Sequence, residues 1–142
     1  MILIFRSDHL NSGFYGTMGA YFASLEIAKE LERQVYNKPD TDWFVSLDYV
    51  KRGHFEDYER VQGFASVHHE RNGLFIDNLY VRPEYRHRGI ATQIIRDIDL
   101  EYCGEELPRK CIAVNPYAMA IFKKFGFEEV GKVGKYTKLE KH

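Results

Sequence analysis

The chain has 142 residues and sets 20 Lys and Arg against 21 Asp and Glu, a formal net charge of −1. That length makes one domain with a sizeable core, and the balanced charge gives no reason to expect nucleic acid as the main partner. Its two cysteines, Cys103 and Cys111, are not in C-x-x-C spacing, so metal ligation and a disulfide framework are disfavoured and reduced thiols in a cytoplasmic protein are the simplest reading.

Residues 1–5 are apolar, but Arg6-Ser7-Asp8-His9 follows far short of a signal peptide or membrane span, which leaves a first strand. Residues 11–16 read as loop, with Gly13 and Gly16 breaking any period. From Thr17, read as an N-cap, the residues Met18, Phe22, Leu25, Ala28, Leu31 and Val35 fall on one helical face, and Asn37-Lys38-Pro39-Asp40 closes that helix. Residues 43–47 read as a second strand. Residues 48–60 mix charge with Tyr49, Phe55 and Tyr58 and show no period. They are a solvated connection or, with Phe14 and Tyr15, a substrate-facing rim on which Glu56 and Asp57 attract a cationic amine.

Residues 61–69 and 74–81 flank Asn72-Gly73, a strong hairpin signal because both positions of such a two-residue turn need positive φ. That turn pairs Arg71 with Leu74, and therefore His68 with Asp77, unless a β-bulge intervenes. Pro83 ends the strand, and Arg86-His87-Arg88-Gly89 leads into a helix in which Ile90, Ile94 and Ile98 recur every four residues beside Ala91 and Ile95. Cys103-Gly104 closes this helix, and residues 110–114 are a short buried strand. Asn115-Pro116 reads as N-cap and first helical residue, with Gly126 just past the end and Met119, Phe122 and Phe125 on the buried face. Residues 127–130 and 136–139 flank a Gly131-Lys132-Val133-Gly134 turn as a terminal antiparallel pair. The order β, α, β-β-β, α, β, α, β-β is an α/β chain with a mixed sheet and helices on both sides, one domain over residues 1–142.

The chemistry concentrates between Tyr80 and Ala91. Unpaired amides at a helix start, the positive end of the helix dipole, Arg86, Arg88 and a glycine that admits close backbone approach make a site for a phosphorylated ligand. Strand, turn and helix of this kind also occur in ordinary α/β units, and these residues alone leave both readings open. Arg86-x-x-Gly89-x-Ala91, following a strand that ends in Leu79-Tyr80-Val81, resembles the Q/R-x-x-G-x-G/A signature of the GNAT superfamily of acetyl-CoA-dependent N-acetyltransferases. Asn115-Pro116-Tyr117-Ala118-Met119-Ala120-Ile121-Phe122-Lys123-Lys124-Phe125-Gly126-Phe127 is similar to that family's later segment, in which Asn, Ala, Tyr, Lys and Gly-Phe recur at these spacings. Together the two motifs cover about the last half of the chain.

The resemblance implies a central mixed, mostly antiparallel sheet with a V-shaped split between two parallel central strands, those ending at Val81 and Val114. It implies acetyl-CoA as co-substrate, with pantetheine against Leu79, Tyr80 and Val81. The diphosphate would lie against Arg86, His87, Arg88, Gly89, Ile90, Ala91 and Thr92, with Asn115 and Lys124 of the second motif completing the site; no metal is expected. The implied reaction is direct attack by a primary amine within a ternary complex, which requires a base because an alkylamine is mostly protonated at neutral pH.

Asp77 and His68, facing each other across the hairpin, are the base candidates; the plain alternative is a cross-strand ion pair at a sheet surface. Phe122 stands where many relatives have a tyrosine that protonates the departing thiolate, and a phenyl ring gives no proton. Tyr136 is the candidate in its place, with Tyr117 or water as others. The same departure keeps open an acyl-CoA-binding module with weak or no catalysis. A plain nucleotide-binding α/β domain is disfavoured by the lack of a fuller Gly-rich fingerprint or a P-loop lysine. The partner class is a small-molecule, peptide or protein amine, with no nucleic acid and no membrane, and a homodimer left open.

Overall fold

The computed structural model describes residues 2–10, 12–50 and 58–142. Its elements are β1 (Ile2–Phe5), α1 (Ser12–Phe22), α2 (Leu25–Leu31), β2 (Thr41–Val50), β3 (Tyr58–Glu70), β4 (Gly73–Val81), a 3-10 turn (Pro83–Tyr85), α3 (Ile90–Glu101), β5 (Arg109–Ala113), α4 (Pro116–Lys124), β6 (Glu128–Val133) and β7 (Tyr136–Lys141). The strands form one sheet in the order β1-β2-β3-β4-β5-β7-β6, antiparallel everywhere except between β4 and β5. The expected mixed, mostly antiparallel sheet is therefore present. The rim residues Glu56 and Asp57 lie outside the described residues.

Alternation along the strands sends residues to opposite faces. Phe44, Ala65, Val67, Leu74 and Ile76 pack beneath Ile90, Ala91, Ile94, Ile95 and Ile98 of α3, while Trp43, Val45, Leu47 and Phe64 pack against Phe14, Met18, Ile27 and Leu31 of α1 and α2. The isoleucine repeat of α3 thus does what its spacing predicts. α4 starts as its sequence dictates: the Asn115 side chain accepts from the Ala118 N–H at 2.8 Å and Pro116 fills the first helical position.

The first helix departs from expectation. Residues 12–16 are helical, because Phe14 and Met18, four apart, are both fully buried, and tertiary packing outweighs the glycines. Thr17 is no cap; its hydroxyl donates back to the Gly13 carbonyl at 2.8 Å. The helix stops at Phe22 and restarts with Ser24 as the cap, its Oγ accepting from the Ile27 N–H at 3.2 Å. This break rotates the second segment, so that Ile27 is buried and Leu25 is 85% exposed.

The hairpin also differs. Glu70 pairs with Gly73, so the turn is Arg71-Asn72, neither of which has positive φ. Gly73 is required for another reason: a Cβ there would stand 2.8 Å from the Pro108 carbonyl oxygen, which accepts from the Leu74 N–H at 2.9 Å. His68 therefore pairs with Phe75 and Asp77 with Ser66. A shift of two preserves which face each residue takes, so the core is as expected while the predicted His68–Asp77 pair is not formed.

Far from the split, a buried carboxylate fastens the end of α3 to the sheet. Asp42 accepts from the Tyr102 hydroxyl at 2.6 Å, the Ser7 N–H at 2.9 Å and His69 Nε2 at 2.8 Å, and Arg6 joins Asp42 and Glu101. Burial raises the acid's pKa, but the Tyr102, His69 and Ser7 hydrogen bonds outweigh it and hold Asp42 below the usual aspartate value. A depressed folded-state pKa supplies stability that is complete above the unfolded value of about 3.9 and is lost as pH falls through the lower folded value. Asp42→Asn is expected to cost about 1–3 kcal/mol at neutral pH and to flatten the fall of melting temperature below about pH 4. Thermal melts across pH check both.

Candidate functional site

The sheet opens beside β4. Its parallel pairing with β5 covers only Leu74 with Arg109, Phe75 with Lys110 and Ile76 with Cys111; β5 then continues against β7 as far as Ala113 with Thr137. Between the Phe64–Tyr80 and Ser66–Asp77 pairs, Ala65 is opposed by two residues, Asn78 and Leu79. This is a β-bulge, and Asn78 takes a φ of 55° within it. The bulge bends β4, and the edge of its residues 77–81 that faces β5 has no strand partner among the described residues.

At the far end of β4, the turn into α3 presents its donors outward. The Arg86 N–H bonds the Pro83 carbonyl, and the first bond into the helix start is Gln93 N–H to Gly89 O at 3.0 Å. Among the described residues, the amides of His87, Arg88, Gly89, Ile90, Ala91 and Thr92 have no internal acceptor. His87 (φ 62°) and Gly89 (φ 77°) both take left-handed backbone, which turns successive N–H groups toward one side. Among the described residues, a Cβ on Gly89 would meet nothing beyond its chain neighbours within 4 Å, so no other segment crowds the turn there.

Arg86 does not offer its guanidinium there. Nε donates to the Val81 carbonyl at 2.8 Å, Nη2 reaches Glu30 at 2.7 Å, and the group lies 5.5 Å over the Tyr80 ring. It braces the turn against β4 and α2. Arg88 rests 5.7 Å over the Tyr85 ring, with its charge in solvent. Burial raises the Tyr80 pKa, which keeps that phenol neutral.

Two adjoining cavities fill the split. The larger, about 500 Å³, is walled by Leu79, Tyr80, Val81, Arg86, His87 and Ala91 on one side and by Asn115, Pro116 and Tyr117 on the other. The smaller, about 150 Å³, lies between Asp77, Asn78 and Leu79 of β4, Ile112 and Val114, Phe122, Tyr136, and the α2 end at Glu32 and Arg33. Leu31, Leu79, Asn115 and Ala118 border both.

Most of the residues singled out in the sequence meet here. Leu79, Tyr80, Val81, Arg86, His87, Ala91 and Asn115 line the larger cavity and Asp77 and Tyr136 the smaller, whereas Arg88, Gly89, Ile90 and Thr92, in the turn and the first residues of α3, border neither. Lys124 is exposed at the opposite end of α4 from Asn115 and borders neither cavity. His68 borders neither; its Nδ1 is 3.1 Å from the hydroxyl of Thr41, its partner on β2. Phe122 is 2% exposed, edge-on to Phe127 at 5.2 Å, and walls the smaller cavity without a polar atom to offer. Glu32, Arg33 and Asn78 were not foreseen. Arg33 pairs with Asp77, and Glu32 accepts from the Tyr136 hydroxyl and from Lys135.

Residues 47–129, more than half of the chain, match the acetyltransferase (GNAT) domain family. The chain belongs to the GNAT acetyltransferase family. Acetyl transfer is the chemistry for which this family is named. Its fold is similar to that of Escherichia coli ElaA (TM-score 0.76, 10% identity, covering 100% of this chain and 99% of that one) and of an acyl-CoA N-acyltransferase from Pseudomonas aeruginosa (0.72, 9%, 100% and 99%). It is also similar to the PaiA N-acetyltransferase of Thermoplasma acidophilum, solved in complex with coenzyme A (0.62, 15%, 99% and 98%). In sequence, 66 residues, 46% of this chain, are 36% identical to the human cysteine-rich protein 2-binding protein, of whose length the chain spans 8%. No helix among the described residues is long and apolar enough to cross a membrane.

Proposed function

We propose that the domain moves an acetyl group from acetyl-CoA to a primary amine by direct attack in a ternary complex. The observation that carries this reading is the joining of two features: the unpartnered edge of β4 and the outward amides of the α3 turn open onto one continuous space. The residues fit a diphosphate because, among the described residues, six consecutive N–H groups have no internal acceptor and no atom beyond the chain neighbours comes within 4 Å of a Cβ placed on Gly89. The amides of His87, Arg88, Gly89, Ile90, Ala91 and Thr92 would hold it, with Arg86 bracing the turn. Leu79, Tyr80 and Val81 would hold the pantetheine arm along the free edge of β4, with Asn115 on the opposite wall.

When bound, the thioester would supply an activated acetyl carbon. Asp77, at the wall of the smaller cavity, takes the proton that an ammonium must lose before it can attack. Tyr136 supplies the proton for the departing sulfur in place of the missing tyrosine at Phe122. Leu79, Ile112, Val114 and Phe122 make a largely apolar wall, which limits water and strengthens these electrostatic contacts. A reducing cytoplasm suits the two free thiols, Cys103 exposed and Cys111 buried, the latter pushed by burial up to about 12.

Calorimetric titration with acetyl-CoA and thiol release over a panel of amines test this function. Saturable binding with release above the buffer rate supports it; binding of plain nucleotides as tight as that of acetyl-CoA contradicts it. Phe122 favours a second reading, an acyl-CoA-binding module, which binding without release would establish. Tyr136→Phe is expected to slow thiol release about 100-fold with acetyl-CoA affinity unchanged, and Phe122→Tyr in that background to recover part of the loss. An unaltered rate in Tyr136→Phe would pass the proton to water.

A further inference from the structure

Asp77 and Asn78 of β4 and Arg33 after α2 bring their polar groups to the wall of the smaller cavity. Asp77 accepts the Asn78 backbone N–H through Oδ1 at 2.8 Å and pairs with Arg33 through Oδ2. Asn78 is 8% exposed and borders the same space. The Ser66 hydroxyl has one hydrogen, and it goes to the Asp77 carbonyl at 3.2 Å. Toward Asn78 the hydroxyl is therefore an acceptor, and the carboxamide must turn Nδ2 to it, at 2.9 Å. That choice leaves Asn78 Oδ1 as the buried side-chain atom with no partner among the described residues. A buried acceptor without a donor costs free energy, and Asn78 stands in the cavity wall, so a small turn of its carboxamide would let a ligand N–H complete it.

We propose that the acceptor is a small amino-carboxylate zwitterion, a free amino acid, its amine held by Asn78 Oδ1 and Asp77 and its carboxylate by Arg33. This rests on the acetyltransferase reading and names its substrate class. Charge accounting favours the zwitterion over a bare amine. An ammonium that takes Asp77 displaces Arg33, and a simple amine leaves that guanidinium, 39% exposed at the cavity rim, without its Asp77 partner. A substrate that brings its own carboxylate turns one ion pair into two, and Arg33 can hold it through two parallel N–H bonds. The cavity of about 150 Å³, against about 500 Å³ next door, favours a small molecule.

In the transfer, the ammonium gives up two protons. One leaves through Asp77 to solvent, and the other replaces the proton that Tyr136 gives to the coenzyme A sulfur. The N–C bond forms as the C–S bond breaks, and the bonding pair departs on sulfur.

The test is thiol release from acetyl-CoA with matched triplets: each of the common amino acids, its carboxamide and its decarboxylated amine. At least one amino acid is expected to exceed both its analogues by about 10- to 100-fold in kcat/KM. Arg33→Met is expected to erase that preference, and Asn78→Gly, which keeps the left-handed backbone, to raise the amino acid's KM. Titration of the same amino acids without thioester, followed by amide chemical shifts, is expected to perturb residues 77–79. Carboxamides or amines that react as well as the acids would overturn the substrate class while leaving acetyl transfer standing; no release with any compound would overturn both. The triplets decide the matter on the wild-type protein even if a variant misfolds.

Discussion

Gly89→Val is expected to raise the dissociation constant for acetyl-CoA about 100-fold or more. Two effects act together. At a φ of 77° a β-branched residue is strained, by about 1–2 kcal/mol or more. Its Cβ and methyls would also bulk out the turn that carries the amides of residues 87–92, where no described atom beyond the chain neighbours comes within 4 Å of that Cβ. Several charge-assisted hydrogen bonds are then lost at once, each contributing on the order of 1.5–3 kcal/mol. Gly89→Ala should fall between the two. Isothermal titration checks the affinities, and melting curves separate the strain from the lost binding: the strain lowers stability without ligand, whereas the steric block also removes the rise in melting temperature that ligand confers.

Asp77→Asn is expected to lower kcat about 100- to 10,000-fold while leaving acetyl-CoA affinity unchanged. The carboxamide keeps the shape, and its oxygen still accepts the Asn78 N–H, so the bulge is retained. It cannot take a proton, and it no longer neutralises Arg33. Steady-state thiol release across pH is the check. The variant's residual rate should climb only at higher pH, where the ammonium loses its proton to solvent unaided. An unaltered rate at neutral pH would remove Asp77 from the chemistry.

Local signals in the sequence carried much of the fold. The four-residue recurrence of isoleucines in α3 and the Asn115-Pro116 start of α4 depend on neighbours along the chain, and the structure follows them. Phe14 overrode the glycines of α1 only because a core of Trp43, Phe22 and Phe5 waits for its ring. Gly73 looked like a turn glycine, yet it is there for the Pro108 carbonyl, 35 residues away along the chain. That difference moved the hairpin register by two residues and separated His68 from Asp77.

The candidate site divides along the same line. The turn at Gly89 and the strand at Leu79-Tyr80-Val81 were legible because both lie within one stretch of chain. Glu32 and Arg33 were not, since they enter by way of a break at Ser24 and a left-handed Glu32 (φ 59°) that no periodicity announces. The role of Asn78 depends on a bulge and on a serine twelve residues away. The Asp42 network likewise joins β2 to the end of α3 across 60 positions.

Backbone amide chemical shifts during titration with acetyl-CoA test the shared space over β4 and α3 most directly. The largest changes are expected at residues 87–92 and 79–81, with smaller ones at Asn115. Saturation with those amides unmoved, and the perturbation elsewhere on the sheet, would contradict the account.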